Sequence, residues 1–221
     1  MVIHKYDVYR SPNVGLFTRT NDKTLLLPFG FAETKTKKLK EYLDVEKIIY
    51  VSIAGTRLLG PMVVMNNNGI LLPSTVSDEE IRILKQTGLN VVRLKSKFTA
   101  IGNLISANDK GAIVSNLFSE EVDKDIEDTL GVPIRRMSIG GFVQIGSMVV
   151  ATNAGAIVHP NANDAEIKRI SEILQIEAEP ATVNGGSPFL SSGMIANFQS
   201  VIVGNLTTGP ELIMISRALK V

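Results

Sequence analysis

Two histidines, His4 and His159, are the only imidazoles in this 221-residue chain. An imidazole could act as a general base or bind a metal ion. A metal site needs several ligands at short spacing, and neither histidine has a second histidine or a cysteine close to it in sequence. The chain also lacks the G-x-S-x-G sequence that would place a serine nucleophile. We therefore interpret both histidines as structural residues.

The other residues with chemical potential also have structural interpretations. The chain has no cysteine, which excludes disulfides, thiolate metal sites and a thiol nucleophile. The pairs Gly140–Gly141 and Gly185–Gly186 lack the spacing of nucleotide-binding loops. The acidic clusters 78–80 and 120–121 fall in the first turn of predicted helices, where negative charge is stabilising. The sequence therefore predicts no catalytic residue, no metal and no cofactor.

Composition and charge limit the class of protein. The hydrophobic fraction is 44%, enough for a substantial core, and 23 basic against 22 acidic residues leave a net charge of +1. Such a balance does not favour general capture of nucleic acid. No apolar run reaches the roughly 18 residues of a membrane span, and the first residues are unlike a signal peptide. We expect a soluble, cytoplasmic chain with no membrane contact.

One hairpin pattern is repeated along the chain. Residues 60–73 (GPMVVMNNNGILLP), 102–115 (GNLISANDKGAIVS) and 146–160 (GSMVVATNAGAIVHP) share a glycine, an apolar run, a turn rich in Asn and a second glycine nine positions on. Related segments begin at Gly15 and Gly193. A second register, Ser52, Ser96, Ser138 and Thr182, has nearly the same period. Two registers with one period of 42 to 47 residues indicate internal repeats.

The last repeat indicates that the array closes on itself. From Gly193 to Val221 there is a predicted hairpin and helix but no strand after the helix. Residues Val2–Val14 have the pattern of that missing strand. An open array would carry atypical repeats at its ends, whereas these two ends complement each other. We predict a single closed domain over residues 1–221, with repeats at 15–59, 60–101, 102–145, 146–192, and 193–221 plus 1–14.

Each repeat is predicted to contain, in order, two strands, a helix and a third strand. The Asn-rich turns are typical of tight hairpins. Ser77, Asn163 and Thr208 each precede a glutamate by three residues, the spacing of a capping box at a helix start. Apolar residues then recur at helical spacing, as in Ile167, Ile170 and Leu174. The fold class is therefore α/β, with the strands central and the helices outside.

The chain resembles the archaeal translation initiation factor 6 family over essentially its whole length. The resemblance rests on the fivefold repeat and on SIAGTRLLG (52–60), FTAIGN (98–103) and TVNGGSPFLSSGMIAN (182–197). It implies a pentein-type propeller of five β-β-α-β repeats around a pseudo-fivefold axis. In that fold the N-terminal strand joins the C-terminal repeat, which agrees with the complementary ends of this sequence.

The resemblance also implies a function. Members bind the large ribosomal subunit through a ribosomal protein near the sarcin–ricin loop, with limited contact to ribosomal RNA. They prevent premature joining of the small subunit and take part in large-subunit maturation, and a GTPase releases some of them. For this chain it implies a non-enzymatic ribosome anti-association factor, expected to be monomeric.

Five residues are candidates for partner contact. Arg57, Asn103 and Asn184 match family motifs beside changes of chain direction, where the side chains could equally secure the turns. Asn66 and Asn153 lie at hairpin turns that the ring would gather on one rim. The basic run Lys35, Lys37, Lys38 and Lys40 lies on a predicted helix, either as a solvated face or as an RNA contact.

The residues leave two other functions open. Pentein-fold enzymes act on guanidino substrates, but those deiminases and amidinotransferases use a cysteine nucleophile, which this chain lacks. A generic protein-interaction ring with a non-ribosomal partner agrees with the repeats but has no motif in its favour.

Overall fold

Five three-stranded sheets contain all fifteen strands of the computed structural model, which describes residues 2–221. Numbered in chain order, the strands are β1 Val2–Lys5, β2 Arg19–Thr20, β3 Thr24–Leu27, β4 Lys47–Tyr50, β5 Val64–Met65, β6 Gly69–Leu72, β7 Asn90–Arg93, β8 Ile105–Ala107, β9 Ala112–Ser115, β10 Ile134–Met137, β11 Val149–Ala151, β12 Ala156–Val158, β13 Ala178–Pro180, β14 Met194–Ala196 and β15 Ser200–Val203.

Between the strands, long helices alternate with one-turn helices or, in the third unit, with a 3-10 turn. Over the same residues the α-helices are α1 Val14–Phe17, α2 Glu33–Leu43, α3 Leu59–Met62, α4 Asp78–Leu84, α5 Asp123–Leu130, α6 Ile145–Met148, α7 Asp164–Leu174, α8 Leu190–Gly193 and α9 Gly209–Leu219. Short 3-10 turns cover Lys85–Thr87, Ile101–Asn103 and Glu120–Val122. No helix in this part of the chain is both long and apolar enough to cross a bilayer.

Every sheet has the same topology. Its middle strand pairs antiparallel with the preceding hairpin strand and parallel with the strand that follows the long helix, as in β2–β3–β4. The predicted order of strand, strand, helix, strand is confirmed. A one-turn helix or 3-10 turn also precedes each hairpin and contains the residues that were predicted to begin the first strand.

The chain path gives the ring two faces. The hairpin turns lie at one end of the strands, and we call this the tip face: 21–23, 66–68, 108–111, 152–155 and 197–199. The opposite end, the corner face, holds the links between units and the loops that lead from each hairpin into its helix: 6–13, 28–32, 51–58, 73–77, 94–100, 116–119, 138–144, 159–163, 181–189 and 204–208.

The N-terminal strand completes the fifth sheet. β1 pairs parallel with β15, from Val2 opposite Ser200 to Lys5 opposite Val203. The Tyr6 amide then donates to the Val203 carbonyl at 2.8 Å. The predicted closure is confirmed, although the strand ends at Lys5 because the chain turns into the corner face beyond it.

The hydrophobic core is divided into five clusters, each shared between consecutive units. Ile126 and Leu130 of α5 pack with Val64 and Leu71 of the preceding unit. Leu39 of α2 lies in a cluster with Ile202 of β15, so the first and last units share a core in the same way. Because every long helix is buried against the sheet of the unit before it, no unit has a complete core of its own.

Glycines allow the short helices to meet around the axis. A Cβ added to Gly60 would lie 1.8 Å from the Gly15 carbonyl oxygen, and one on Gly102 would lie 2.2 Å from that of Gly60. In the fifth unit the equivalent residue is Ser191. A Cβ added to Gly15 would lie 1.9 Å from the Ser191 carbonyl oxygen. Ser191 is the second residue of α8, as Gly15 is of α1. The fifth repeat therefore begins two residues earlier than the glycine pattern indicated.

The second repeated glycine lies beneath the helix of the next unit. A Cβ on Gly111 would be 2.0 Å from the Ile173 carbonyl oxygen of α7, and one on Gly155 would be 1.9 Å from that of Ala218 in α9. A side chain there would force the helix away from the sheet. The spacing of nine residues thus reflects two close backbone approaches, one at the axis and one under a helix.

We propose that residues 1–221 fold as one cooperative domain, because a unit without its neighbours leaves a helix face exposed. Deleting residues 1–9 removes β1 and its pairing with β15. We expect the cooperative melting transition of the whole chain to be lost, rather than local fraying of one unit. Circular dichroism and calorimetry would measure this.

A rearranged chain provides the control. Moving residues 1–9 to follow Val221 through a short Gly/Ser linker supplies the same strand from the other terminus. We expect this variant to regain a single cooperative transition. A deletion variant that melts like the intact chain would contradict the shared-core account.

Candidate partner-binding face

Tight turns shape the corner face. Ile53 and Thr56 exchange backbone hydrogen bonds of 3.1 and 3.0 Å around Ala54 and Gly55. Both central residues have positive φ, 51° and 71°, as a two-residue turn of the I′ type requires. Similar turns occur at Tyr9–Arg10 and Gly140–Gly141, while the link at 94–100 has a different course in which Ser96 accepts from the Phe98 amide. The side chains beside these turns are therefore held in fixed directions.

Glutamates of the capping boxes also hold the corner turns. Glu80 accepts hydrogen bonds from the Ser77 amide, as predicted for a capping box, and from the amides of Ala54 and Gly55 at 3.1 Å. The Ser52 hydroxyl adds a further bond of 2.9 Å. Burial alone would raise the pKa of Glu80, but these hydrogen bonds outweigh it and the pKa is lowered. One carboxylate thus connects a helix start to the adjacent turn.

Glu211 repeats this arrangement in the fifth unit. It accepts from the amides of Thr208, Gly185 and Gly186 and from the Thr182 hydroxyl, at 2.7 to 3.1 Å. Burial favours the neutral acid, yet the hydrogen bonds lower the pKa of Glu211 to about 2. Glu166 binds the Gly140 amide at 2.9 Å in the same way. The predicted capping boxes at Ser77, Asn163 and Thr208 are all confirmed.

Exposed apolar side chains are concentrated on the corner face. Ten large hydrophobic residues are exposed in the described chain, and Val2, Phe198 and Ile213 are the three that lie elsewhere. The seven on the corner face are Tyr9, Phe29, Leu58, Leu117, Phe142, Phe189 and Leu206. Protein-binding surfaces combine such groups with arginine. The corner face is therefore the better candidate for docking a partner.

Arg57 lies among these apolar groups. Its guanidinium carbon is 5.8 Å from the centre of the Tyr9 ring, a cation–π contact across a unit boundary. Arg57 is exposed and forms no ion pair within residues 2–221. Asn103 ends the 3-10 turn at the start of the third unit and is half-buried. The planar guanidinium of Arg57 is thus oriented by Tyr9 and exposed on the surface, and its contact with a partner remains a prediction.

Both histidines have structural surroundings. His159 is buried, its Nδ1 accepts from the Asn161 amide at 3.1 Å, and its ring lies between those of Phe142 and Phe189. His4 stacks on Tyr42 at 3.8 Å. No group of three potential metal ligands occurs in the described range 2–221. The structural interpretation of both residues therefore agrees with the contacts they make.

The tip face is held together by its own turns. Asn66 is only 4% exposed, and its Oδ1 accepts from the amides of Asn68 and Gly69 at 3.0 Å. Its Nδ2 donates to the carbonyls of Asn108 and Leu130 in the next unit, at 3.1 and 2.8 Å. The amide group has used its hydrogen-bonding capacity inside the protein. Asn66 therefore joins two units.

Asn153 and Asn184 also have internal partners. Asn153 accepts from the Asp109 amide at 3.1 Å and donates to the Asp109 carboxylate. Asn184 has a positive φ of 56° and donates to the Pro12 carbonyl at 3.0 Å, which links the last unit to the N-terminal segment. Partner contact by Asn66, Asn153 and Asn184 remains a prediction, and each already stabilises the ring. Arg57 and Asn184 thus lie on the corner face and Asn66 and Asn153 on the tip face, while Asn103 ends the 3-10 turn that follows the corner link 94–100.

A family model and two sequence relatives identify the family of this chain. The model of the eIF-6 family matches residues 3–218. The chain belongs to the eIF-6 family. Translation initiation factor 6 of Cenarchaeum symbiosum is 49% identical over 219 residues, covering 99% of both chains. The protein of the same name from Pyrococcus abyssi is 40% identical over 225 residues, again covering 99% of both.

The similarity to solved structures is much weaker. A cysteine-to-serine mutant of DDAH from Pseudomonas aeruginosa, complexed with citrulline, is 16% identical with a TM-score of 0.49. The match covers 75% of this chain and 68% of that one. Likeness at this level carries no conclusion about function. The eIF-6 relatives, in contrast, support a role as an archaeal translation initiation factor in protein biosynthesis.

The structure of this eIF-6 family member also shows contacts between the basic run and aromatic residues, which the sequence analysis did not predict. Lys38 lies 5.7 and 5.5 Å from the ring centres of Tyr6 and Tyr42, so aromatic groups do adjoin the basic run. Lys37 pairs with Glu33 at 3.0 Å on the exposed side of the same helix. Because the lysines cover these rings, the contacts favour a solvated face rather than a surface for stacking bases.

The Glu211 carboxylate should make stability depend on pH. Its pKa is lowered from 4.5 to about 2 in the folded chain, so its stabilisation is complete above pH 4.5 and is lost as the pH falls toward 2. We expect Glu211→Gln to reduce the free energy of unfolding at pH 7 by about 2 to 3 kcal/mol. The difference between variant and parent should narrow below pH 4.5, as measured by urea unfolding.

Glu172→Gln is the matched control, because Glu172 is exposed on the outer side of α7. That variant should stay within about 0.5 kcal/mol of the parent. Equal unfolding midpoints for Glu211→Gln and the parent at pH 7 would show that the carboxylate does not stabilise the corner.

Proposed function

We propose that this protein binds the large ribosomal subunit and sterically prevents the small subunit from joining prematurely. The proposal includes a role in large-subunit maturation. Its docking site would be a ribosomal protein on the intersubunit face near the sarcin–ricin loop, with limited contact to ribosomal RNA. The observation that carries the proposal is the eIF-6 family match over residues 3–218.

The ring is mechanically suited to a blocking function. An obstacle has to hold its shape, and the clusters shared between successive units resist deformation of any one of them. It also needs one good contact surface rather than a reaction centre. A standard interface of about 1,600 Å² can supply the roughly −12 kcal/mol of nanomolar binding. The corner face combines Arg57 with exposed aromatic groups, which are the usual anchors of such interfaces.

The charge of the chain favours a protein partner over RNA. With a net charge of +1, it has little excess of positive charge to release counterions from phosphates. We therefore expect binding to weaken with salt less steeply than for a protein held by many phosphate contacts. In this proposal the factor acts in the cytoplasm as a monomer, and a GTPase releases it.

Enzymatic action on guanidino compounds is the alternative. The deiminases and amidinotransferases of the pentein fold use a cysteine nucleophile, and the present sequence contains no cysteine. A factor that works by occupancy needs neither nucleotide nor turnover, and it acts only while bound. We therefore propose a non-enzymatic blocker.

Sedimentation of isolated archaeal subunits tests the proposal. The protein is added in excess over the large subunit under conditions in which the two subunits join. We expect it to sediment with large subunits and to reduce the joined particle, without added nucleotide. Migration apart from both subunits, or with the small one, would contradict the proposal.

Variants of the corner face test where the partner docks. Arg57→Ala removes the exposed guanidinium, and we expect a loss of subunit affinity of roughly tenfold or more, about 1.4 kcal/mol. Asn103→Ser changes the 3-10 turn that directly follows the corner link 94–100, and it should also weaken binding. Arg82→Ala is the control, because Arg82 pairs with Glu79 on the exposed surface of α4. If Arg57→Ala and Asn103→Ser both bind like the parent and like Arg82→Ala, the corner face is not the docking site.

A further inference from the structure

A cavity of about 50 Å³ lies on the axis of the ring. The first hairpin strand of every unit contributes to its wall, and most of the contributed side chains are small or apolar, including Ser106, Ala107, Ala151 and Ala196. A water molecule needs roughly 10 to 15 Å³ of such space, so the cavity can hold more than one. It is therefore large enough for a small hydrated or partly dehydrated ion.

Arg19 is the only charged residue in the cavity wall. It lies on β2, four residues after Gly15, and the corresponding residues of the second, third and fourth units are Val64, Ser106 and Val150. The repeat pattern therefore does not require a cation at this position. Small side chains from the other units, such as those of Ser106 and Ala151, leave room for the Arg19 side chain and for the cavity beside it.

The Arg19 guanidinium has no protein partner within residues 2–221. It forms neither an ion pair nor a hydrogen bond there, whereas Arg82, Arg93, Arg136 and Arg217 each pair with a carboxylate. Arg19 is half-buried. It lies on β2, and it is one of the residues that line the axial cavity.

The surroundings of Arg19 disfavour an uncompensated positive charge. Burial lowers the pKa of Arg19 to about 10, so the side chain is still a cation at neutral pH. A buried charge without a partner is costly, and proteins usually compensate it with an opposite charge. A mobile anion in the cavity would supply that charge without a carboxylate in the wall.

Ser191 adds a second polar group to the same cavity. It occupies the axial position that is glycine in the other four units, and it is one of the residues that line the cavity. A hydroxyl can donate to an anion alongside a guanidinium. The neighbouring opening on the tip face is lined by Asp22 and Asp109, whose negative charge repels a multiply charged anion more strongly than a monovalent one.

We propose that the axial cavity binds one small monovalent anion of about the size of chloride, held by the guanidinium of Arg19 and the hydroxyl of Ser191. The anion neutralises the centre of the ring and stabilises the contacts between the first and last units. This site is separate from the corner face and does not depend on ribosome binding.

Thermal unfolding in matched salts tests the site. The parent chain and Arg19→Met are melted in sodium chloride and in sodium gluconate at equal concentrations, because gluconate is too large for the cavity. Once the site is saturated, we expect the parent to gain about 1.4 kcal/mol per tenfold rise in chloride, roughly 3 to 6 °C. Arg19→Met should melt equally in both salts.

Two further measurements keep the test decisive if Arg19→Met does not fold. Ser191→Ala retains the guanidinium and should raise the chloride concentration needed for half of the effect. Crystals soaked in sodium bromide should show an anomalous scattering peak in the axial cavity. Equal melting of the parent in chloride and gluconate would overturn the proposal, as would a cavity without bromide or a chloride effect retained in Arg19→Met.

Discussion

Each long helix is buried between its own sheet and the sheet of the preceding unit, and this shared burial determines the rest of the ring. Leu39 of the first unit packs with Ile202 of the last, as Leu130 packs with Leu71 in the middle of the chain. A row of units joined in this way has an uncovered face at each end unless it closes. Closure explains why β1, the first strand of the chain, belongs to the last sheet.

The symmetric features of the molecule are architectural, and the functional candidates break the symmetry. Gly60 and Gly102 repeat because a carbonyl of the preceding unit occupies the place of a Cβ. Arg57, by contrast, is the one arginine of the described chain that lies over an aromatic ring, that of Tyr9. Arg19 is likewise the single cation in the wall of the axial cavity. A surface or site specific for one partner requires such differences between units.

The sequence predicts the features that depend on local spacing and misses those that join distant segments. The repeat, the closing strand and the capping box at Ser77 follow from short patterns. Ser191 replaces glycine at the axis, so a search for glycine finds Gly193 instead. Glu80 holds Gly55, 25 residues away, and the Arg57–Tyr9 contact joins two units. Such contacts exist only after the ring has closed.

Hydrogen–deuterium exchange on the complex with the large subunit tests most directly the central claim that a rigid ring docks through its corner face. Peptides covering 53–58, 139–144 and 184–189 should gain protection relative to the free protein, and tip-face peptides covering 66–68 and 197–199 should not change. Protection confined to the tip face, or spread evenly over both faces, would contradict the account.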